Sequence, residues 1–260
     1  MDENKKLVTI LIPAYNEEAV LPLLYDRLLK LMDGLPQYNF ELLFVNDGSK
    51  DRTLELIQEM RKHDPRVCYV NLSRNYGKET AMIAGFDYVN GDCMINIDAD
   101  LQDPPELIPE MLKYWEEGYD DVYAKRKSRK GESFLKKFTS WGYYRVLQSM
   151  TNIEIQKDTG DFRLLDRRCV EAIKQMRESQ RYTKGLYSWI GYKKKEILYD
   201  RDPRAAGKTK WNYRKLANLS IDGITSFTTA PLRWAALIGI LVSLLGFIYM
   251  MVIIIKTLIY

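Results

Sequence analysis

Short apolar or β-branched runs at 7–12, 40–46, 67–72, 93–97 and 121–124 alternate with longer stretches at 17–32, 51–63, 78–89 and 105–117, where apolar residues return every three or four positions. The first pattern suits strands and the second amphipathic helices. Such an alternation folds economically as parallel strands joined by right-handed crossovers, with helices on both faces. The sequence therefore predicts a doubly wound α/β fold with a mostly parallel sheet, whose ligands bind at the carboxyl ends of the strands. With 46% hydrophobic and 28% charged residues in a chain of 260, disorder is excluded.

Beyond residue 125 the pattern changes. An aromatic-rich amphipathic helix is expected at 133–150, a second helix at 166–178, a polar irregular stretch at 200–210 and an interfacial helix at 215–229. From Ala235 to Ile255 there are 21 residues without a charged side chain. As a helix at about 1.5 Å per residue, that stretch matches the roughly 30 Å hydrocarbon core of a bilayer. One membrane span is predicted. Residues 1–6 pass directly into a six-residue apolar run closed by Pro13, which is no signal peptide. Arg233 and the basic stretch before the span then keep the N-terminal part cytoplasmic.

The net charge of +4 hides strong segregation. Residues 87–121 hold eleven acidic groups and one Lys, whereas 125–137 hold seven basic against one acidic and 193–215 nine against three. Aromatics lie in or directly after both basic blocks (Phe134, Phe138, Trp141; Trp211, Tyr213), the composition of segments that lie on an anionic membrane surface. Charge alone would fit nucleic acid equally well. Cys68, Cys93 and Cys169 lack ligand-like spacing and read as packing residues in a reducing compartment. The single His63, flanked by Arg61 and Lys62, is expected at the surface and leaves no nucleophile–histidine pair.

Chemistry concentrates at two strand ends, Asn46-Asp47-Gly48-Ser49 and Asp98-Ala99-Asp100-Leu101-Gln102-Asp103. In an extended segment Asp98, Asp100 and Gln102 project to one side. Two carboxylates and an amide oxygen suit Mg²⁺ or Mn²⁺, which keeps its other positions for water and phosphates. A lone Asp-x-Asp is also a common turn cap. Neither Gly-x-Gly-x-x-Gly nor Gly-x-x-x-x-Gly-Lys-Ser/Thr occurs, so a bound nucleotide must be held by a metal and cationic side chains.

Together with Ile12-Pro13-Ala14-Tyr15-Asn16-Glu17, and in this order, these motifs resemble glycosyltransferase family 2 with the GT-A fold. The run 201–210 followed by a span is similar to the polyprenyl-phosphate glycosyltransferases, the group of dolichol-phosphate mannose synthases and bacterial undecaprenyl-phosphate glucosyltransferases. The resemblance implies a nucleotide-sugar donor enclosed by Pro13, Tyr15, Glu17 and Asp47, with Lys78, Asp98, Ala99, Asp100 and Arg126 also on the donor side. It implies metal ligation by Asp98, Asp100 and Gln102, and Asp161 at the position usually called the catalytic base. A lipid phosphate with a second pKa near 6 is already mostly dianionic at neutral pH, so Asp161 is expected chiefly to orient donor or acceptor. Bringing that dianion beside a diphosphate costs about 4 kcal/mol per unit pair at about 4 Å, which Arg201, Arg204 and Lys210 are expected to offset.

The resemblance further implies inverting transfer of a hexose, UDP-glucose favoured over UDP-N-acetylglucosamine or GDP-mannose, to undecaprenyl or another polyprenyl phosphate. It implies a bacterial inner-membrane location, a homo-oligomer and no nucleic-acid partner. The expected divisions are a donor-binding core at 1–130, an acceptor-binding part at 131–230 and a membrane helix at 231–260, where relatives usually continue into a second span. A processive polysaccharide synthase is the rival enzyme, disfavoured because Gln180-Arg181-Tyr182 lacks the Gln-x-x-Arg-Trp pattern. A non-catalytic membrane-tethered scaffold is the rival from another class.

Overall fold

The computed structural model describes residues 4–127, 159–176, 183–200 and 230–259. Its first half follows the expected alternation: β1 (Leu7–Ala14), α1 (Leu21–Asp33), β2 (Asn39–Asn46), α2 (Thr53–His63), β3 (Val67–Asn71), α3 (Lys78–Phe86), β4 (Cys93–Asn96), α4 (Ile108–Glu116) and β5 (Asp121–Arg126). A 3₁₀ turn, Pro105–Leu107, leads into α4, its prolines at positions where no helical N–H is needed. Then come β6 (Thr159–Asp166), α5 (Arg167–Gln175), α6 (Thr183–Trp189), β7 (Lys194–Tyr199) and the long α7 (Ala230–Ile259). The amphipathic segments expected at 133–150 and 215–229 lie outside the described residues.

Seven strands form one sheet in the order β3-β2-β1-β4-β6-β5-β7. All neighbours are parallel except β6, which runs antiparallel between β4 and β5. Neither β6 nor β7 was anticipated from the sequence, and both join the same sheet as the first five strands. Residues alternate faces along each strand. Ile10, Ile12, Leu42, Phe44 and Ile95 face α1, α2 and α4, while Leu11, Leu43, Val45, Met94 and Leu165 face α3, α5 and α6. Helix α3 lies close because Gly85 has no side chain: a Cβ there would sit 2.4 Å from Leu11 Cδ1.

Strand order reverses at β1, which sends the chain to β2 and β3 on one side and lies against β4 on the other. Pairing between β1 and β4 ends at Leu11 and Asn96, so the two chains diverge just before Pro13, where a missing N–H costs no ladder bond. A crevice at the carboxyl end of the sheet follows, as in other doubly wound folds. The three cysteines are free, and His63 is exposed beside Glu59.

Candidate active site

The loop after β1 is fastened to the loop after β2. Asn16, in the left-handed region at φ 53°, donates its N–H to Ser49 Oγ and accepts Lys50 N–H on Oδ1 at 2.8 Å. Glu17 N–H donates to Thr53 Oγ1, and Glu18 Oε2 accepts Arg52 N–H. Pro13, Tyr15 and Glu17 are thus carried on one rigid rim. Asp47, 3% exposed, accepts from Tyr76 N–H at 2.7 Å, Gly77 N–H at 2.9 Å and Asn75 Nδ2 at 3.0 Å. Its carboxylate therefore holds the β3–α3 loop. Burial raises its pKa, and the two backbone donors pull it back toward the usual range.

The Asp98–Asp103 segment is not extended. Strand β4 ends at Asn96, the chain turns at Ala99–Asp100, and Leu101 adopts φ 59°. The period-two argument for a shared face of Asp98, Asp100 and Gln102 is thereby corrected: a turn sets their positions. Asp100 is buried and accepts the Gln102 N–H on Oδ1 at 3.2 Å, while buried Asp103 accepts from Tyr199 Oη at 2.6 Å. Ala99 is buried against the core. Among the described residues no three His, Cys, Asp or Glu side chains cluster as a metal site. The donor set of Asp98, Asp100 and Gln102 still fits a hard divalent ion that takes its remaining ligands from water and phosphate.

Strand β6 brings in the residue that completes the site. Its register pairs Asn96 with Arg163, and continuing that register sets Asp161 opposite Asp98. Asn96 Nδ2 secures the strand by donating to the Asp161 carbonyl at 2.9 Å. The Lys78 ammonium, at the first position of α3, lies between the two carboxylates, 2.5 Å from Asp98 Oδ1 and 2.6 Å from Asp161 Oδ2. Burial disfavours its charge, but the two carboxylates outweigh that and hold its pKa well above the ordinary value. Lys78, which the resemblance put on the donor side, is thus tied to two carboxylates of the chain itself.

Arg126 is half-buried at the end of β5 beside Tyr199, and its Nε is buried with no hydrogen-bond partner among the described residues. The structure thus gathers Asp98, Asp161 and Lys78 at one point, with Asp100, Gln102 and Arg126 on elements ending at the same edge of the sheet. Arg201, Arg204 and Lys210 lie outside the described residues. Sequence reasoning missed Glu79 and Thr183: Glu79 Oε2 accepts both Thr183 N–H, at 2.9 Å, and Thr183 Oγ1, at 2.6 Å. Only the adjacency of Glu79 to Lys78 hinted at it.

With the carboxylates of Asp98, Asp100 and Asp161 set against the one Lys78 ammonium, this arrangement is net acidic and suits a divalent cation at the switch crevice. The profile of Glycosyl transferase family 2 matches residues 9–174. The chain belongs to this family. It is a glycosyltransferase, and its sheet is that of the GT-A fold. It is 50% identical over 94% of its length to an uncharacterised glycosyltransferase, YkcC of Bacillus subtilis, covering 76% of that protein. To a prophage bactoprenol glucosyl transferase homolog of Escherichia coli it is 42% identical over 93% of its length, covering 79% of the relative. Among solved structures, glucosyl-3-phosphoglycerate synthase of Mycobacterium tuberculosis, crystallised with Mn²⁺, UDP-glucose and phosphoglyceric acid, superposes with a TM-score of 0.55 at 18% identity. That match covers 85% of this chain and 79% of the other.

Proposed function

We propose that this glycosyltransferase moves a hexose, from UDP-glucose in preference to other nucleotide sugars, to undecaprenyl or a related polyprenyl phosphate at the cytoplasmic face of a bacterial membrane. The observation that carries this reading is the meeting of Asp98 and Asp161 around Lys78 at the switch crevice. The bactoprenol-directed relative and the length and hydropathy of α7 support a lipid acceptor.

In this reading Pro13, Tyr15, Glu17 and Asp47 enclose the base and ribose, and Arg126 contacts the diphosphate. Asp98, Asp100 and Gln102 would hold Mg²⁺ or Mn²⁺, which when bound neutralises charge on the departing diphosphate. Asp161 orients the acceptor phosphate or donor sugar for in-line attack with inversion. Residues 131–230 would receive the acceptor, with Arg201, Arg204 and Lys210 offsetting repulsion between the two phosphate groups. The active form would be a homo-oligomer.

The test incubates the full chain in detergent micelles with undecaprenyl phosphate and, in parallel, UDP-glucose, UDP-N-acetylglucosamine or GDP-mannose, and reads the lipid product by mass spectrometry. A hexosyl lipid formed from UDP-glucose, abolished by EDTA and restored by Mg²⁺ or Mn²⁺, is expected. Absence of any glycolipid with all three donors would overturn the reading.

A further inference from the structure

Along β6, Asp161, Arg163 and Leu165 share one face of the sheet, which turns from apolar to ionic as it nears the crevice. Leu165 packs among α3, α5 and α6. Arg163, fully buried, bonds both oxygens of Asp121 through Nη1, at 3.2 and 3.0 Å. Its guanidinium lies 3.8 Å from the centre of the Tyr187 ring, which α6 supplies and which is itself fully buried. At its other end α6 begins with Thr183, whose N–H and hydroxyl both donate to one oxygen of Glu79 across 104 residues of sequence. Helix α6 therefore grips β6 through Tyr187 and α3 through Thr183. These are the two elements that deliver Asp161 and Lys78.

We propose that Glu79 is a positioning residue. Its carboxylate clamps the first turn of α3 to α6 and so fixes the Lys78 ammonium between Asp98 and Asp161. The first turn of α3 is already held on its other side, where Asp47 binds the N–H groups of Tyr76 and Gly77. A lysine on a flexible four-carbon stem bridges two carboxylates reproducibly only when its Cα is pinned. Burial and the nearby Asp161 charge raise the Glu79 pKa, so a carboxylate at this place is costly and its bonds to Thr183 offset that cost.

The proposal rests on the glycosyl transfer above, and substitutions separate clamp from charge. In Glu79→Gln the amide oxygen still accepts both Thr183 donors while the charge is lost; Glu79→Ala breaks the clamp, and Thr183→Val removes its hydroxyl bond but leaves the backbone N–H bond. Assayed as the full chain, Glu79→Gln is expected to stay within about threefold of wild-type kcat. Glu79→Ala should lose tenfold to a hundredfold in kcat, the scale of an approximately 1 Å misplacement, with the donor KM changed less, and Thr183→Val should fall between it and the wild type. Because Glu79→Ala already removes both bonds, Glu79→Ala/Thr183→Val should cost no more than Glu79→Ala alone.

Amide hydrogen exchange needs no acceptor: protection at 78–86 and 183–189 should fall in Glu79→Ala and persist in Glu79→Gln. Unchanged kcat and protection in Glu79→Ala would overturn the clamp, as would Glu79→Gln being as impaired as Glu79→Ala. Calorimetric UDP binding retained by Glu79→Ala shows that the chain is folded. If the wild type makes no glycolipid, the acceptor reading fails while the exchange contrast still tests the clamp.

Discussion

Gly48 shows how far a single position constrains the crevice. It sits at φ 63°, and a Cβ placed on it would lie 2.3 Å from the Arg74 carbonyl carbon. The obstacle is backbone, so no side-chain rotation relieves it. The same close approach lets Asp47 reach the 75–77 loop. Gly48→Ala is therefore expected to destabilise the chain by about 1–3 kcal/mol or more and to weaken UDP binding, both from strain at a left-handed position and from displacement of the loop. Denaturant midpoints and calorimetry check this; unaltered values of both would show the contact to be unimportant. At this scale the sequence was partly legible. The run Asn46-Asp47-Gly48-Ser49 stands out by its carboxylate and glycine at a strand end, but the partners of Asp47 lie 28 to 30 residues away and follow no local pattern. The ionic bridge of Lys78 was not legible, because lysine composition is the same on a solvated surface and in an ionic bridge.

At the scale of elements, the first five strands announced themselves as apolar runs, whereas β6 and β7 did not. The β6 sequence, TGDFRLLD, carries an Asp and an Arg on the face that β1 and β2 fill with Leu11, Leu43 and Val45. The Arg is admissible only because Asp121, on the adjacent β5, accepts two hydrogen bonds from it and Tyr187 covers it. That compensation comes from tertiary pairing, which periodicity cannot reveal. It also gives a prediction. Arg163→Met leaves Asp121 buried without its cation and should cost about 3–5 kcal/mol, while Arg163→Met/Asp121→Leu should recover most of the loss. Burial already raises the Asp121 pKa, with Arg163 opposing that rise. Without Arg163 the folded-state value rises further above the unfolded one. The destabilisation is then full above the folded pKa and shrinks as pH falls through it, when the carboxyl takes up a proton. Denaturant titrations of the single variant between neutral and acidic pH should show the deficit narrowing; a pH-independent deficit would point to lost packing against Tyr187 instead.

On the scale of the whole molecule, two kinds of helix coexist, and the difference states what each is built to meet. Helices α1 and α4 bury one stripe each, for example Leu21, Leu24 and Leu28 on α1, and turn charged residues outward. Helix α7 has no such sidedness: the most apolar 18-residue stretch within Leu232–Ile259 has a mean hydropathy of 2.8, and no residue of it is buried in the protein. Large side chains such as Leu244, Phe247 and Val252 are each more than half exposed. In water such a helix is strongly unfavourable, at about 25 cal/mol per Å² of apolar surface, whereas hydrocarbon accommodates it. This was the most legible feature of the chain because it depends on composition alone and needs no partner. Lysine at a helix centre costs about 2.5–3.5 kcal/mol of insertion. Leu244→Lys with Ile248→Lys, one turn apart, should therefore move the chain from the carbonate-resistant membrane pellet toward the soluble or aggregated fraction. UDP binding by the α/β part should persist, because the crevice residues described above lie on other elements, while transfer to a lipid-embedded phosphate should fall at least tenfold through lost co-localisation. Full pelleting and full transfer by the double-lysine chain would show that α7 does not anchor the enzyme beside its acceptor.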